Sequence, residues 1–288
     1  MKILPKTMKA VVLTGHGGLN KLKYQDVSVP VPGQGEVLIE VRGCGMNNTD
    51  VWVREGAYGT DEDPDAVASW RRGAEPTLIF PRIQGTDTAG YIVAVGEGVT
   101  EDRIGERVMV DFSIYNTDSD SLADIDYIGH GRDGGYAEYC VVPSENAHCV
   151  DTPISDAELA TFCCAYLTAE HMLDRARVGA GEIVVVTGGA GGVGGALIQL
   201  CRARGAVPYA VTSKDKADAV ADLGAEAVIL RDQGEFRDNA ICALSGKPVD
   251  VVADVVAGPL FNELINLIRP EGRYTTAGAF AGPVVELD

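Results

Sequence analysis

Short apolar runs separated by glycines dominate the first half of the chain. Glu36–Val41 alternates charged and apolar residues before a glycine, which is the pattern of a half-buried strand. Similar runs lie at 9–13, 90–96, 106–110 and 135–142. Several short strands with turn residues between them predict a barrel-like β domain. The polar, acidic segment Thr60–Thr77 is predicted as an inserted loop with one helical turn around Asp65–Trp70.

The pattern changes near residue 151, beyond which strands and helices are predicted to alternate. Apolar residues spaced i, i+3, i+4 and i+7 from Val193 to Leu200 lie on one helix face, and helical spacing recurs over Asp156–Leu173. The predicted strands span 183–187, 208–212, 227–230, 249–254 and 273–277, and the predicted helices span 192–204, 214–223, 234–245 and 259–268. This alternation predicts an α/β fold with a doubly wound parallel sheet. We place the two domains at residues 1–150 and 151–288.

A glycine-rich segment follows the first strand of the second domain and opens a helix. Gly189, Gly191 and Gly194 satisfy the pattern G-x-G-x-x-G. In this strand–turn–helix context, the glycines allow a tight turn, close approach of the backbone to a pyrophosphate, and close helix–strand packing. Backbone N–H groups at the helix start, including those of Gly192 and Val193, then face the phosphates. The segment predicts a dinucleotide site, with a purely structural glycine turn as the alternative.

The end of the next predicted strand bears on the choice of cofactor. An NAD site usually carries a carboxylate there, which bonds the ribose 2′-hydroxyl. This chain has Val211, followed by Thr212, Ser213 and Lys214. Hydroxyl and ammonium groups suit a 2′-phosphate, so we predict NADPH as the cofactor. The alternative is that Ser213 caps the next helix and the lysine is solvated.

Composition restricts the partners. The formal net charge of −18 disfavours nucleic acids and anionic membrane surfaces, which require a basic footprint. No apolar run reaches the length of about 18 residues that a spanning helix needs, and the first residues lack a secretory signal. The seven cysteines include no Cys-x-x-Cys pair, which favours reduced thiols in the cytoplasm. The expected partner is a small-molecule substrate.

Several motifs together resemble the medium-chain dehydrogenase/reductase superfamily. They comprise Asn47-Asn48-Thr49-Asp50 with Arg54, Gly56 and Tyr58, then Gly85-Thr86-Asp87-Thr88-Ala89-Gly90, Gly134-Gly135-Tyr136 and the glycine-rich segment. The resemblance implies a GroES-like catalytic domain over 1–150 and a Rossmann domain over 151–288. It implies a reductase whose active site lies in the cleft between them. Because the chain stops soon after the fifth predicted parallel strand, we expect an incomplete C-terminus. The resemblance leaves open whether the protein forms a homodimer.

The zinc-dependent alcohol dehydrogenases of this superfamily carry Cys-His-Thr-Asp and Gly-His-Glu motifs. This chain has Asn47 and Thr86 at the two ligand places, and only Cys164 matches the third. Catalytic zinc needs three ligands of Cys, His or carboxylate type, so we predict no metal. The pattern is closer to the zinc-independent quinone oxidoreductase branch, which includes zeta-crystallin. It implies an NADPH-dependent reductase of quinones, enones or related activated carbonyl compounds.

Without zinc, hydrogen-bond donors must stabilise the developing oxyanion or enolate. Asn47, Thr49 and Tyr58 are the predicted catalytic residues, and Tyr58 matches a tyrosine proposed as proton donor in related enoyl reductases. The resemblance places Thr168 against the nicotinamide. For each of these residues a structural role is the alternative. A zinc-type alcohol dehydrogenase with unusual ligands and a non-catalytic NADPH-binding sensor or structural protein are the alternative functions.

Overall fold

The structure is a computed structural model that describes residues 3–58, 71–72, 75–76, 78–115, 125–282 and 284–285. The chain forms two compact units, Met1–Cys164 and Ala165–Asp288, which we call the N-terminal and C-terminal units. None of the helices in the described ranges has the length and apolarity that crossing a bilayer requires.

The N-terminal unit is built mainly from short antiparallel strands. Its strands are β1 (Thr7–Leu13), β2 (Leu22–Ser28), β3 (Glu36–Gly45), β4 (Arg71–Arg72), β5 (Glu75–Pro76), β6 (Arg82–Ile83), β7 (Asp87–Val95), β8 (Arg107–Val110), β9 (Ser113–Ile114), β10 (Asp126–Tyr127), β11 (Tyr139–Pro143) and β12 (Ala147–Cys149), and its helices are α1 (Asn48–Glu55) and α2 (Asp156–Leu159). The main sheet has the strand order β11-β3-β7-β8-β12, and a second sheet has the order β2-β1-β6.

Alternation along β3 explains how the two sheets share one core. Val37 and Ile39 pack in a cluster with the main-sheet residues Ile92 and Val108, whereas Leu38 packs with residues of the β1 sheet. Successive side chains of a strand point to opposite faces, so one strand contributes to both clusters. This is the GroES-like β architecture expected for the first half.

The C-terminal unit is a five-stranded parallel sheet, preceded by the helix α3 (Cys163–Arg175). Its strands are β13 (Ile183–Val186), β14 (Val207–Thr212), β15 (Ala227–Leu230), β16 (Val249–Asp254) and β17 (Ile268–Thr276), and its further helices are α4 (Gly192–Ala203), α5 (Ala217–Asp222), α6 (Phe236–Leu244) and α7 (Phe261–Leu267). The order β15-β14-β13-β16-β17 is that of a Rossmann sheet, with every adjacent pair parallel.

Both faces of this parallel sheet are covered by helices. Val184 and Val186 pack in the same cluster as α4, whereas Val185 packs in the cluster of α6 and α7. Burial on both faces explains the nearly continuous apolar runs of these strands. The doubly wound arrangement predicted from the sequence is therefore confirmed.

Several predicted boundaries differ from the observed ones. The helix predicted over Asp156–Leu173 is two helices, α2 and α3, because the chain leaves the helix after Leu159. Strand β17 starts at Ile268, within the end of the predicted last helix. In the predicted loop Thr60–Thr77, β4 pairs with β5. The helical turn proposed at Asp65–Trp70 lies outside the described residues.

The two compact units meet between Cys164 and Ala165, within α3, and the domain boundary after residue 150 stays a prediction. The intervening α2 packs closely on β3, since a Cβ added at Gly43 would lie 2.8 Å from the Asp156 carbonyl oxygen. The segment after residue 150 thus packs with the N-terminal unit although its composition is already helical.

We predict that Gly90→Ala destabilises the N-terminal unit through overpacking. A Cβ at Gly90 would lie 2.1 Å from the backbone oxygen of Glu40 on the paired strand, so the β3–β7 ladder must shift. The expected loss of unfolding free energy is at the upper end of about 1–3 kcal/mol. Denaturant unfolding measures it.

Gly98→Ala is the matched control for this substitution. A Cβ at Gly98 meets no described atom within 4 Å, although its φ of +83° makes alanine strained. The expected loss is about 1 kcal/mol. A loss for Gly90→Ala no larger than that of the control would contradict the close approach of the two strands.

Candidate functional site

The first turn of α1 is fixed by its own residues. Asn47 lies at the N-cap, and its backbone N–H donates to Asp50 Oδ2 at 2.9 Å. The Asp50 N–H in turn donates to the Asn47 carbonyl at 3.1 Å. A carboxylate three residues into a helix that accepts from the N-cap N–H is half of a capping box. This bond holds the segment Asn47–Asp50, which carries two of the three predicted catalytic residues.

The Asp50 carboxylate has a second donor in Tyr136, whose hydroxyl lies 2.7 Å from Oδ2. The amide of Gln84 donates to the Asp50 carbonyl at 3.0 Å. Burial raises the pKa of Asp50, against the lowering effect of the donors to its carboxylate. Burial and the nearby Asp50 charge raise the pKa of the Tyr136 phenol, so Tyr136 remains a donor at neutral pH.

Asp87 joins the start of α1 to the start of α3. Its Oδ2 accepts from the Asn47 side-chain amide at 3.0 Å, and its Oδ1 accepts from the Cys164 backbone N–H at 2.5 Å. Asp87 is only 2% exposed, and burial raises its pKa. Among the residues that the structure describes, neither Asp87 nor Asp50 has a basic side chain as a salt-bridge partner, so N–H and O–H donors provide their stabilisation.

Thr49, in the first turn of α1, and Tyr58, just beyond the end of the helix, are joined by a hydrogen bond. The Thr49 hydroxyl donates to the Tyr58 hydroxyl at 3.2 Å. The chain reverses at Gly56, whose φ of +78° is left-handed, and this turn returns Tyr58 to the helix. Burial is the main cause of a raised pKa for Tyr58, so its phenol is protonated at neutral pH.

The three positions that hold zinc in related enzymes do not form a zinc site in this chain. The Asn47 amide is engaged by Asp87 and Thr86 offers a neutral hydroxyl, so Cys164 alone supplies a group that zinc prefers at these three positions. Zinc binds thiolate, imidazole and carboxylate groups. No group of three or more such side chains placed to hold a metal ion occurs in the described part of the chain.

Four of the five cysteines of this unit are buried or partly buried thiols, and Cys149 is exposed. Burial raises the pKa of Cys163 and Cys140 to about 12, and it raises the pKa of Cys44 further. The Cys44 sulfur lies 3.9 Å from the Thr88 hydroxyl, and all seven cysteines are free of disulfide bonds.

In the C-terminal unit, the predicted phosphate turn has a tight backbone. Gly188, just before the motif, has the left-handed φ of +61°, so it rather than Gly189 makes the turn. A Cβ at Gly194 would lie 2.1 Å from the Gly188 oxygen, which makes that glycine obligatory. Gly191 is the N-cap of α4, whose first N–H groups, including those of Gly192 and Val193, have no partner within the helix.

The segment predicted to bind a 2′-phosphate follows β14. Thr212 and Ser213 are buried and Lys214 is exposed. The Ser213 hydroxyl donates to the Asp215 carboxylate rather than capping the following 3₁₀ helix with its side chain. The Lys214 backbone N–H donates to Asp232 at 3.1 Å. The carboxylates of Asp215 and Asp232 therefore contact the segment that carries Lys214.

Sequence reasoning missed a buried carboxylate at the end of β16. Asp254 is 0% exposed and accepts from the hydroxyls of Thr187 and Tyr274, at 2.5 Å each. It also accepts from the backbone N–H groups of Val256 at 2.8 Å and Ala257 at 3.1 Å. Asp254 thus links the residue before the phosphate turn with the loop after β16. An acidic residue closing an apolar strand was its signal in the sequence.

Thr168, predicted to face the nicotinamide, is half-buried on α3, one turn beyond Cys164. Tyr136 and Gln84 were not predicted as site residues, although Tyr136 lies within a motif that carries the family resemblance and Gln84 lies next to another. Tyr136 follows a pair of glycines, and Gln84 immediately precedes the Gly85–Gly90 motif.

Comparison with known proteins agrees with this architecture. Residues 33–153 match the alcohol dehydrogenase GroES-like domain family, and residues 192–288 match the zinc-binding dehydrogenase family. A Sinorhizobium meliloti 1021 protein, provisionally described as an alcohol dehydrogenase, has a crystal structure with a TM-score of 0.93 and 69% identity, covering 99% of this chain and 79% of that one. An NAD-dependent alcohol dehydrogenase structure has a TM-score of 0.84 and 29% identity, covering 94% of this chain and 78% of that one.

Two relatives extend the comparison. The human synaptic vesicle membrane protein VAT-1 homolog is 31% identical over 94% of this chain, which spans 61% of that protein's length. A Mus musculus quinone oxidoreductase is 30% identical over 97% of this chain and is covered over 75% of its length. The chain thus spans about three-fifths of the length of the VAT-1 homolog and three-quarters of the length of the quinone oxidoreductase.

We predict that Asp87→Asn gains stability relative to the wild type as pH rises above the ordinary carboxyl range. Asp87 has a raised pKa, so the folded protein binds its proton more tightly than the unfolded chain does. The tighter proton binding stabilises the folded wild type at low pH. This stabilisation is lost as pH rises from the ordinary carboxyl pKa to the raised pKa of Asp87. The amide introduced by the substitution is uncharged and does not titrate.

Urea unfolding of both proteins between pH 4 and pH 8 measures this difference. Replacing the carboxylate also leaves one donor without an acceptor, and that loss is independent of pH. A difference between variant and wild type that is constant over the whole range would contradict the raised pKa.

Proposed function

We propose that this chain, which belongs to the medium-chain dehydrogenase/reductase superfamily, is an NADPH-dependent oxidoreductase that acts without catalytic zinc. Its substrate is a quinone, an enone or a related activated carbonyl compound. The observation that carries the proposal is the donor cluster of Asn47, Thr49 and Tyr58, organised around two buried carboxylates where zinc enzymes hold their metal.

The phosphate turn supports the cofactor half of the proposal. The turn before α4 is narrow, since a Cβ at Gly191 would lie 3.3 Å and one at Gly194 2.1 Å from the Gly188 oxygen. Exposed N–H groups at a helix start suit a pyrophosphate. We assign Gly189, Gly191, Gly192, Val193 and Gly194 to that contact. When bound, the reduced nicotinamide supplies a hydride.

The segment after β14 supports NADPH over NADH. We assign Thr212, Ser213 and Lys214 to the 2′-phosphate, which the lysine ammonium would neutralise. The Asp215 carboxylate opposes this choice, because it already accepts from the Ser213 hydroxyl. The side chains of Lys216 and Arg231 act on Asp215 electrostatically and offset its charge. Thr168 is assigned to the nicotinamide end.

The N-terminal unit supplies the groups that polarise the substrate. One N–H of the Asn47 amide is held by Asp87, and the amide has a second. The Tyr58 hydroxyl, which accepts from Thr49, donates its proton to the substrate as the hydride is added. The carbonyl compound gains one hydride and one proton, and solvent reprotonates Tyr58. Donors aimed at a developing oxyanion lower the barrier in this way.

Cysteine content and net charge also support the proposed cellular compartment and substrate class. Seven cysteines without disulfide bonds suit a reducing, cytoplasmic compartment. The net charge of −18 is compatible with an uncharged small-molecule substrate. The family resemblance leaves a homodimer open.

We predict that the purified protein oxidises NADPH in the presence of cyclohex-2-enone or 1,4-benzoquinone, and that Tyr58→Phe lowers kcat for the enone. Loss of a positioned general acid reduces rates by about 10²–10⁴-fold. Absorbance at 340 nm with the enone, and product analysis with the quinone, measure turnover.

Tyr24→Phe is the control, because Tyr24 is exposed on β2 and is not a member of the donor cluster. Its kcat is expected to equal that of the wild type. NADPH binding without turnover of either compound would instead favour the non-catalytic sensor. A Tyr58→Phe enzyme as active as the control would remove Tyr58 from the mechanism.

We predict that Lys214→Ala weakens NADPH binding about tenfold and leaves NADH binding unchanged. A charged hydrogen bond to phosphate contributes about 1.5–3 kcal/mol, and part of it is screened at this exposed position. Asp215→Asn is expected to act in the opposite direction, since it removes a negative charge beside the phosphate. Fluorescence titration with both cofactors measures the affinities.

Lys23→Ala provides the control for loss of an exposed lysine, since Lys23 lies on β2. Tighter binding of NADH than of NADPH by the wild type would contradict the assignment of this segment to a 2′-phosphate.

A further inference from the structure

We infer that the Thr86 hydroxyl is a substrate-binding group that donates a hydrogen bond to the oxygen of an uncharged carbonyl compound. The inference deepens the proposed function and rests on it. It assigns a role to a residue that is neither a catalytic candidate nor a fitting zinc ligand.

Thr86 has a buried polar atom with no internal partner. The residue is 7% exposed, and its hydroxyl forms no hydrogen bond within the described part of the chain. Its neighbours are satisfied: Gln84 donates to the Asp50 carbonyl, and Asp87 accepts two hydrogen bonds. Buried hydroxyls normally have partners, so an unpartnered one indicates a bound group.

The backbone around Thr86 is held on both sides by the candidate site. Gly85 has a φ of +100°, and a Cβ there would lie 2.7 Å from the Cys44 sulfur and from the Tyr136 ring. On the other side, Asp87 is fixed by its bonds to Asn47 and Cys164. The backbone that carries Thr86 is therefore held in place, which limits where its hydroxyl can find another partner.

The charges nearby limit the class of ligand. Asp50 and Asp87 are the buried carboxylates of the cluster, and the chain places no salt-bridging cation on either in its described part. An anionic substrate would be repelled there. A neutral carbonyl oxygen accepts a hydrogen bond without adding charge, so quinones and enones fit and carboxylate-bearing substrates do not.

The decisive substitution is Thr86→Val, which removes the hydroxyl and keeps the shape. We expect kcat/KM for cyclohex-2-enone to fall about tenfold, the change that 1.4 kcal/mol of lost interaction produces, with an unchanged KM for NADPH. Because no internal bond is lost, Tm is expected to stay or to rise by about 2–4 °C. Thr86→Ser, which restores the hydroxyl, is expected to recover most of the activity.

Thr88→Val is the matched control. Thr88 is equally buried, two residues further along the chain on β7, but its hydroxyl lies against the Cys44 sulfur. It is expected to keep kcat/KM within about twofold of the wild type and to lower Tm. A Thr86→Val enzyme with wild-type kcat/KM would overturn the inference, as would a Tm loss larger than that of Thr88→Val.

A binding measurement separates this inference from the proposed function. Calorimetric titration with cyclohex-2-enone in the presence of NADP⁺, which cannot supply a hydride, measures substrate binding alone. Weaker enone binding by Thr86→Val than by the wild type supports the inference, whether or not the wild type turns the enone over. Absence of turnover alone would overturn only the proposal that the protein is a reductase. No enone binding by the wild type overturns both. Turnover by the wild type with equal binding by the variant overturns the Thr86 assignment alone.

Discussion

The organisation of this protein depends on buried carboxylates that have no cationic partner among the described residues and are stabilised by hydrogen-bond donors. Burying a charge is expensive, so each such group must collect N–H and O–H donors from several segments. Asp87 does this between the side chain of Asn47 and the backbone of Cys164, and it thereby fixes where α1 and α3 begin. Asp50 does the same with Tyr136. The donor geometry of the candidate site follows from these two requirements.

The C-terminal unit uses the same device at the end of its sheet. Asp254 gathers donors from the residue after β13, from β17 and from the loop that follows β16. Three segments distant in sequence are therefore held together beside the phosphate turn. Gly194 adds a steric condition, because the backbone of α4 approaches the Gly188 oxygen too closely for any side chain. The hydrogen bonds to Asp254 and the close contact at Gly194 together restrict the backbone conformation at this end of the sheet.

The sequence predicted the alternation of strands and helices, the parallel sheet and the glycine turn, because these depend on local periodicity and on residues with unusual backbone freedom. It did not predict the break after Leu159 or the early start of β17, since tertiary packing decides those boundaries. Thr49 and Tyr58 were both named as site residues from the family motif, but their hydrogen bond was not predicted, since no helix was predicted over the intervening segment. The partners of Tyr136, Gln84 and Asp254 could not be predicted either, because they lie far away in the chain and no spacing rule relates them.

The buried thiols have a chemical consequence for a protein that handles electrophiles. Quinones and enones are Michael acceptors, and they alkylate cysteine through its thiolate. Burial raises the pKa of Cys164 and Cys163 to about 12, so both stay in the unreactive thiol form at neutral pH. Burial and the charges of Asp87 and Asp50 thus keep the Cys164 thiol protonated and unreactive. Under the proposed function, the cysteine that sits among the substrate-polarising groups is shielded from covalent inactivation by the compounds the enzyme reduces.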